Sequence, residues 1–356
     1  MMGAAEQSSA LPPVVSRFDG ERAAWDAFVR RAADGTFFHL IGWKEVLEDV
    51  FGLRAHYLVA RRGSEIAGVL PLFEVHAPLM ERCLLSVPFA VDGGVCGADR
   101  DAQDALDAAA LTLGRERGAR HIELRDRRDA PEFGLRDGRY ARFRRQLQPD
   151  DAAEWAALPP KRRNMLRRAA RHQLTADAET RDAATFHDLY AHTARRFGTP
   201  VFPARFFRAL LDRFPEETTV VIVRHGSIAV AGALLLRFGD VAFPYYAGSR
   251  REFFRYASND FLYWELIRFA RRCGARTFDF GRSRVGSGAY KYKHLWGFDA
   301  EPVRYRVRAV DASTVPTRSS ADARLSGLQT VWRHLPLPLT KLLGPIFVKR
   351  YGPYYT

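Results

Sequence analysis

Apolar residues recur along this chain at two different spacings, and each spacing predicts a different element. Alternating or continuous apolar runs indicate strands at 56–60, 66–75, 83–87 and 121–125, and a three-and-four spacing indicates a helix over 102–117. The same order returns later, with strands at 219–224, 228–238, 241–246 and 277–280 and helices at 186–197 and 206–214. A further helix carries apolar residues from Leu262 to Cys273, with Asn259 as its expected N-cap.

Short sequence matches indicate that this repetition is a duplication. Residues 117–125, RGARHIELR, resemble 273–281, CGARTFDFG, and residues 62–72 resemble 225–236 in the same order. The predicted fold is therefore α/β (α+β), with two tandem copies of one unit, each a mixed sheet flanked by helices. We expect a first domain at 1–150, and a basic connecting helix and second domain with the active site at 151–310. A linker and an amphipathic basic segment are expected at 311–356.

Composition sets the broad class of the protein. At 356 residues, with 47% hydrophobic and 27% charged residues, the chain is long enough for two globular domains with separate cores. The longest apolar run, 228–236, is too short to cross a bilayer as a helix, and the first residues lack a signal-peptide pattern. We therefore expect a cytoplasmic protein. Three cysteines and ten histidines show no zinc or disulfide spacing, so no metal site is expected.

The net charge of +14 concentrates anions such as phosphates, nucleic acid or anionic lipid headgroups, without choosing among them. The most basic segment is 159–172, where six cations occupy the eleven positions from Lys161 to Arg171 with no acidic residue. Its prolines can start a helix, and Leu166 and Ala169 fall on one face. We predict that the opposite face binds anions; a solvated surface helix is the alternative. The candidate anion-binding residues here are Arg162, Arg163 and Arg167.

A second group of polar residues follows the strand that ends near Asp279. Glycines in the stretch 281–288 allow close approach to a ligand, and the alternation at 290–293 predicts a strand with aromatics on one face and cations on the other. Such a strand is suited to a phosphorylated ligand, although an ordinary glycine hairpin with an exposed cationic strand is the alternative. Neither a P-loop nor a dinucleotide fingerprint is present. The candidate binding residues here are Arg282, Ser283, Arg284, Tyr290, Lys291 and Lys293.

These features together resemble FemAB-type proteins, in which two GNAT-like acyltransferase folds lie side by side. The resemblance rests on the duplication, the basic helix, the strand end at 279–283 and the run 290–298, YKYKHLWGF, and it covers about residues 20–310. Residues 197–203, FGTPVFP, with KHLWGF at 293–298, are similar to the branch associated with exosortase and exopolysaccharide loci.

The resemblance implies transfer of an aminoacyl or acyl group to an amine of a peptidoglycan or exopolysaccharide precursor. The expected partner is an anionic precursor linked to a nucleotide or a lipid, with tRNA and the inner membrane surface as further candidates. No tightly bound cofactor is expected. The chain shows neither the long coiled-coil arm of some classical members nor an R-x-x-G-x-G/A loop within 241–259, so the donor stays open between aminoacyl-tRNA and acyl-CoA. A carrier-protein-dependent N-acyltransferase and a non-catalytic module that binds polyanions or membranes are the alternatives.

Acyl transfer to an amine needs a deprotonated amine, a polarised carbonyl and both reactants held together. In GNAT-like folds two central parallel strands separate, and 241–249 is the candidate for one of them because Pro244 removes a ladder donor. Asp279 is the candidate base or amine-orienting group; alternatively it pairs with Arg282 or Arg284. Tyr245 or Tyr246 is the candidate proton donor to the leaving group, with a core position as the alternative.

The C-terminal segment 331–351 mixes apolar and cationic residues. It is expected to pack back onto the domains or to lie on an anionic membrane surface, which would make the protein peripheral at the inner face of the membrane.

Overall fold

A computed structural model of the protein describes residues 11–77, 81–126, 128, 133–136, 139–311 and 329–355. The chain divides into two compact units. Unit 1 comprises Met1–Asp137, Arg304–Thr317 and Lys349–Thr356, and unit 2 comprises Gly138–Val303 and Arg318–Val348. Most of the predicted linker, 312–320, lies outside the described residues.

Fifteen strands are present in the described residues, together with ten helices numbered here as α1 to α10. The strands are β1 (Val14–Arg17), β2 (Arg54–Arg62), β3 (Glu65–Val75), β4 (Cys83–Leu85), β5 (Cys96–Gly97), β6 (His121–Leu124), β7 (Gly134–Arg136), β8 (Tyr140–Gln146), β9 (Leu174–Thr180), β10 (Thr218–His225), β11 (Ile228–Phe238), β12 (Val241–Ser249), β13 (Thr277–Arg284), β14 (Ala300–Pro302) and β15 (Tyr305–Ala309). The helices are α1 (Arg22–Arg31), α2 (Ile41–Phe51), α3 (Arg100–Glu116), α4 (Asp151–Ala157), α5 (Pro160–Arg171), α6 (Ala183–Phe197), α7 (Ala204–Arg213), α8 (Ser258–Arg272), α9 (Gly288–His294) and α10 (Leu337–Tyr355). Short 3-10 turns cover Phe37–His39 and Arg251–Tyr256, and residues 329–334 are helical.

The sheet of unit 1 has the strand order β1-β2-β3-β4-β6-β15-β7, with β5 paired to β3. Its strands are antiparallel except for β4 and β6, which run parallel. Helix α3 packs on this sheet through Leu106 and Ala110, both fully buried, because its apolar residues fall on one face. The buried Arg306 of β15 bonds to Asp107 of α3 and to Asp126, so charge pairing as well as apolar packing holds this strand in unit 1.

The sheet of unit 2 has the order β14-β8-β13-β12-β11-β10-β9, and here β12 and β13 are the parallel pair. Helices α5 and α8 share its apolar core, in which Leu166, Leu262 and Leu266 are buried. Helix α6 packs along β11 and β12, with Leu189 fully buried.

The two sheets confirm the predicted duplication. In each unit a long hairpin, β2–β3 or β10–β11, turns at a glycine in the left-handed region, Gly63 or Gly226. Each hairpin also has an irregularity in strand register shortly before its turn. It lies between Ala60 and Arg61 in β2 and between Val223 and Arg224 in β10. A shared irregularity at matched positions is a mark of common ancestry.

Three predicted details are wrong. The first domain was expected to end at residue 150, but β8 pairs in the sheet of unit 2. Strand β15 was expected in the second domain, but it pairs in the sheet of unit 1. Both differences arise because local patterning does not specify a strand's neighbours. The N-cap of α8 is Ala257, at φ +59°, and not Asn259. Residues 290–293 form a helix and not a strand, because Ser287 caps α9 by accepting from the Tyr290 N–H.

Candidate functional site

The parallel pair β12 and β13 of unit 2 separates after a short contact. Among the described residues the two strands pair at two positions only, Val241 with Thr277 and Ala242 with Phe278. Opposite β11, the register of β12 shifts beside Pro244, which has no N–H to donate. Beyond Ala242 and Phe278, the edges of β12 and β13 that face each other therefore offer main-chain groups to which an extended ligand can hydrogen-bond.

A β-bulge in β13 decides which side chains face this opening. Asp279 lies opposite Arg144 of β8, whereas Gly281 lies opposite Phe143, so Phe280 is the extra residue. Gly281 has φ +74°, a conformation that glycine adopts without a steric penalty. Arg282 then lies opposite Arg142. Without the bulge Asp279 and Arg282 would point to opposite faces; with it they share one face with both β8 arginines.

Asp279 is the anionic centre of that face. It is 2% exposed, its Oδ2 accepts from the Arg142 Nε at 2.5 Å, and the Arg144 Nε lies 3.9 Å away. Its Oδ1 accepts from the Gly281 N–H at 2.8 Å. The alternative interpretation, pairing with an arginine, is right in kind, but the sequence named Arg282 or Arg284 and the structure shows Arg142, contributed by a different strand. A carboxylate held this way can orient an amine by accepting a hydrogen bond from its N–H.

Lys293 of α9 approaches the bulge from the other face of the sheet. Its Nζ donates to the carbonyl oxygens of Gly281 and Arg282, both at 3.0 Å, and lies 5.7 Å from the ring centres of Phe143 and Phe280. Burial against these rings lowers the pKa of Lys293 to about 7, with Asp279 opposing the shift. Lys293 therefore holds the bulge and is near the midpoint of its titration at neutral pH.

The two candidate tyrosines lie on β12. The Tyr246 ring is 5.3 Å from Phe207 and 5.9 Å from Tyr190, in an aromatic cluster with α6 and α7. Burial raises the pKa of Tyr246, and Arg282 opposes this only in part. The Tyr245 ring stands edge-on to Tyr246 at 4.9 Å. A phenol of raised pKa is a weaker acid, so this environment favours packing over proton donation for Tyr246.

The predicted anion-binding residues occupy different environments. Arg162 is buried and paired with Asp260 of α8, and burial raises the pKa of Asp260 while Arg162 opposes the change. Arg163 donates to the Ala156 carbonyl at 3.1 Å, and the exposed Arg167 donates to Asn164 at 2.8 Å. Arg162 is thus a structural cation in unit 2, whereas Arg167 remains on the surface.

The remaining candidates lie around β13 and α9. Arg282 stacks on the Tyr140 ring at 4.7 Å, and Ser283 is buried. Tyr290 packs edge-on against Phe143 at 5.2 Å. Arg284 and Lys291 are exposed. The structure therefore brings Asp279 and Arg282 together on one sheet face, with Lys293 behind them.

Sequence reasoning missed Arg142 and Arg144. Their signal is the alternation of β8, where Ala141 and Phe143 are buried in the core and the intervening arginines point to the other face. It also missed Asp260, whose buried pairing with Arg162 depends on the packing of α5 against α8.

No helix among the described residues is long and apolar enough to cross a membrane. Within the same residues, no group of three or more His, Cys, Asp and Glu side chains is placed to hold a metal ion.

Residues 160–294 match the family of acetyltransferase (GNAT) domains. Over 94 residues the chain is 28% identical to the lipid II:glycine glycyltransferase of Staphylococcus haemolyticus, a match that covers 24% of this chain and 22% of that protein. The chain thus spans about a fifth of this curated relative's length.

Solved structures share the fold. The crystal structure of FemX has a TM-score of 0.65 at 16% identity, covering 82% of this chain and 96% of that one. A tandem GNAT protein from the clavulanic acid biosynthesis pathway has a TM-score of 0.51 at 13% identity, covering 85% and 98%. These similarities confirm the tandem GNAT-like fold.

Proposed function

We propose that unit 2 is an acyltransferase that transfers an aminoacyl or acyl group to an amine of an anionic cell-envelope precursor. The observation that carries the proposal is the opened parallel pair β12 and β13, bordered by Asp279 and three arginines, within the segment that matches GNAT acetyltransferase domains. The partial relative named lipid II:glycine glycyltransferase supports a lipid-linked peptidoglycan precursor as the acceptor. The exopolysaccharide branch remains a prediction from residues 197–203 and 293–298 alone.

The transfer makes one bond and breaks one. The acceptor amine nitrogen attacks the donor carbonyl carbon, a carbon–nitrogen bond forms, and the bond from that carbon to an ester oxygen or thioester sulfur breaks. One proton passes from the nitrogen to the leaving oxygen or sulfur. In our proposal Asp279 orients the incoming amine, and the guanidinium groups of Arg144 and Arg282 hold donor or acceptor phosphates.

The donor, aminoacyl-tRNA or acyl-CoA, is identified by incubating the purified chain with each labelled donor and an extract of envelope precursors. The donor whose label appears in a new amide product is the substrate. Salt-sensitive binding of these polyanions without turnover would instead favour the non-catalytic alternative.

Arg282→Met is the decisive variant because it removes the charge and keeps most of the side-chain volume. We expect about a 100-fold loss of transfer with little change in stability. Arg208→Met, an exposed arginine on α7 of the same unit, is the matched control and should retain full transfer. Full transfer by Arg282→Met would remove the arginine face from the mechanism.

We further propose that α10 brings the protein to an anionic membrane surface. One face of this helix packs through the buried Thr340, and the other exposes Leu339, Leu342 and Ile346 by 43%, 67% and 57%. Residues 329–355 contain no acidic residue, whereas Arg333, Lys349 and Arg350 are exposed cations near this stripe in sequence. An apolar stripe flanked by cations alone suits an interface rich in anionic lipid.

Vesicle sedimentation tests this membrane proposal. The chain should bind vesicles that contain phosphatidylglycerol and not those of phosphatidylcholine alone, and Leu342→Asp with Ile346→Asp should abolish the binding. Ile228→Asp, at another exposed apolar side chain, is the control and should bind normally. Equal binding by the double variant would exclude this helix as the membrane contact.

A further inference from the structure

Unit 1 contains a cavity of about 360 Å³ that the proposed chemistry of unit 2 does not use. It lies where β1 ends and β2 begins, and we call it the β1–β2 pocket. The residues that define it are Arg17, Lys44, Arg54, His56, Tyr57 and Arg117.

The β1–β2 pocket and the opening in unit 2 lie at opposite ends of their respective parallel strand pairs. Arg54 at the start of β2 pairs with Glu74 near the end of β3, and the next residue, Val75, pairs with Cys83 at the start of β4. The pocket is therefore at the amino end of the parallel pair β4 and β6. The opening in unit 2 lies toward the carboxyl ends of its own parallel pair, so the β1–β2 pocket is not a degenerate copy of that site.

Cations dominate the walls of the pocket. Its lining includes four permanent cations and no carboxylate. Behind it, the single carboxylate of Glu74 accepts from Arg117 at 2.8 Å and lies 4.0 Å from Arg54 and 3.7 Å from Arg82. One carboxylate shared by three guanidinium groups leaves positive charge for a further anion.

Of the two remaining cations of the lining, Arg17 has an exposed ion partner and Lys44 a half-buried one. Arg17 lies 3.8 Å from Glu116 and Lys44 lies 2.7 Å from Glu48. An exposed pair such as Arg17 with Glu116 contributes about 0–1 kcal/mol, so a multiply charged ligand can compete for Arg17.

Tyr57 forms part of the aromatic wall of the pocket. The side chain is 4% exposed and its ring stacks on Trp25 at 4.9 Å. Its buried hydroxyl has no hydrogen-bond partner among the described residues.

We propose that the β1–β2 pocket binds the phosphoryl group of a small phosphorylated molecule. The guanidinium groups of Arg17 and Arg54 and the Lys44 ammonium would contact its oxygens from separate sides, as a group with three or more anionic oxygens requires. Phe18 and Tyr57 give the rest of the ligand an aromatic wall. The volume suits a small molecule and is at the lower end for ligand pockets. This site is independent of the acyl-transfer proposal.

The test uses the full chain and calorimetric titration with three probes: inorganic phosphate, pyrophosphate, and vesicles containing phosphatidic acid. The first two represent a free phosphorylated molecule and the third a lipid headgroup. The vesicle titration is made with the Leu342→Asp, Ile346→Asp double variant, so that α10 does not contribute and the responding probe identifies the source. We expect saturable binding of at least one probe, weakened at least about 10-fold by Arg17→Met with Arg54→Met. Arg100→Met, at the opposite end of α3 from Arg117, is the control and should bind normally.

Thermal unfolding of each variant, with and without probe, separates a binding defect from a folding defect. Absence of saturable binding with all three probes would overturn the proposal, and so would equal affinity in the double variant and the Arg100→Met control.

Discussion

Replacing Lys293 with methionine is expected to flatten the pH dependence of folding stability above pH 7. In the native protein its ammonium donates to two carbonyl oxygens of the β13 bulge, and burial lowers its pKa to about 7. Methionine has a similar length and no charge, so it fills the same space against Phe143 and Phe280 without titrating.

The sign and size follow from the lowered pKa. Between about pH 7 and the unfolded value near 10.5, the unfolded chain holds the proton that folded Lys293 has released, so the free energy of unfolding rises with pH. From pH 7 to pH 9 this increase is about 2 kcal/mol. The two carbonyl acceptors stabilise the ammonium and oppose the shift, so about 2 kcal/mol is the largest increase expected.

Other titrating groups do not obscure this window. Burial lowers the pKa of His39 and His187 below 6.5, so their contribution to stability is nearly complete by about pH 7.5 and is the same in both proteins. Burial raises the pKa of Cys96 to about 12, which lowers stability at high pH equally in native protein and variant. The difference between the two proteins therefore reports Lys293.

Urea unfolding followed by circular dichroism at pH 7, 8 and 9 measures the effect. The native protein should gain stability across this range, and Lys293→Met should not. Lys291→Met, an exposed lysine on the same helix, should keep the native slope. Identical slopes for the native protein and Lys293→Met would refute the lowered pKa and the reasoning from burial.

Two further variants test the packing of unit 2 by the same urea assay. Asp260→Asn leaves Arg162 buried without its carboxylate and should lose about 3–5 kcal/mol; a loss under about 1 kcal/mol would show that the pair is hydrated in solution. Gly248→Ala should lose about 3 kcal/mol, because a Cβ there would overlap the backbone of Leu189 and Tyr190 in α6. Gly226→Ala, in open space at φ +58°, should lose only about 1 kcal/mol, and equal losses would contradict the close approach of β12 to α6.

Much of the site depended on contacts that the sequence does not display. Asp279 was predicted as a base or amine-orienting group at a strand end, with pairing to Arg282 or Arg284 as the alternative. It lies within β13, which continues to Arg284, and its arginine partner comes from β8, 137 residues away in the chain. The Tyr-Lys-Tyr-Lys run predicted a strand by its alternation, yet a single serine cap and the apolar pocket around Lys293 made it helical. An alternation over four residues is too short to distinguish the two-residue period of a strand from the 3.6-residue period of a helix.

The sequence by itself determined the order of elements, the duplication and the helical basic segment, because apolar spacing and short repeats are local properties of the chain. Tertiary structure alone decided that β8 and β15 pair in sheets outside their own predicted domains. It also decided that Arg162 is buried with Asp260 and that a bulge at Gly281 places Arg282 on the same sheet face as Asp279. Strand partners, buried ion pairs and bulges depend on which distant edges meet, and no local pattern encodes that choice.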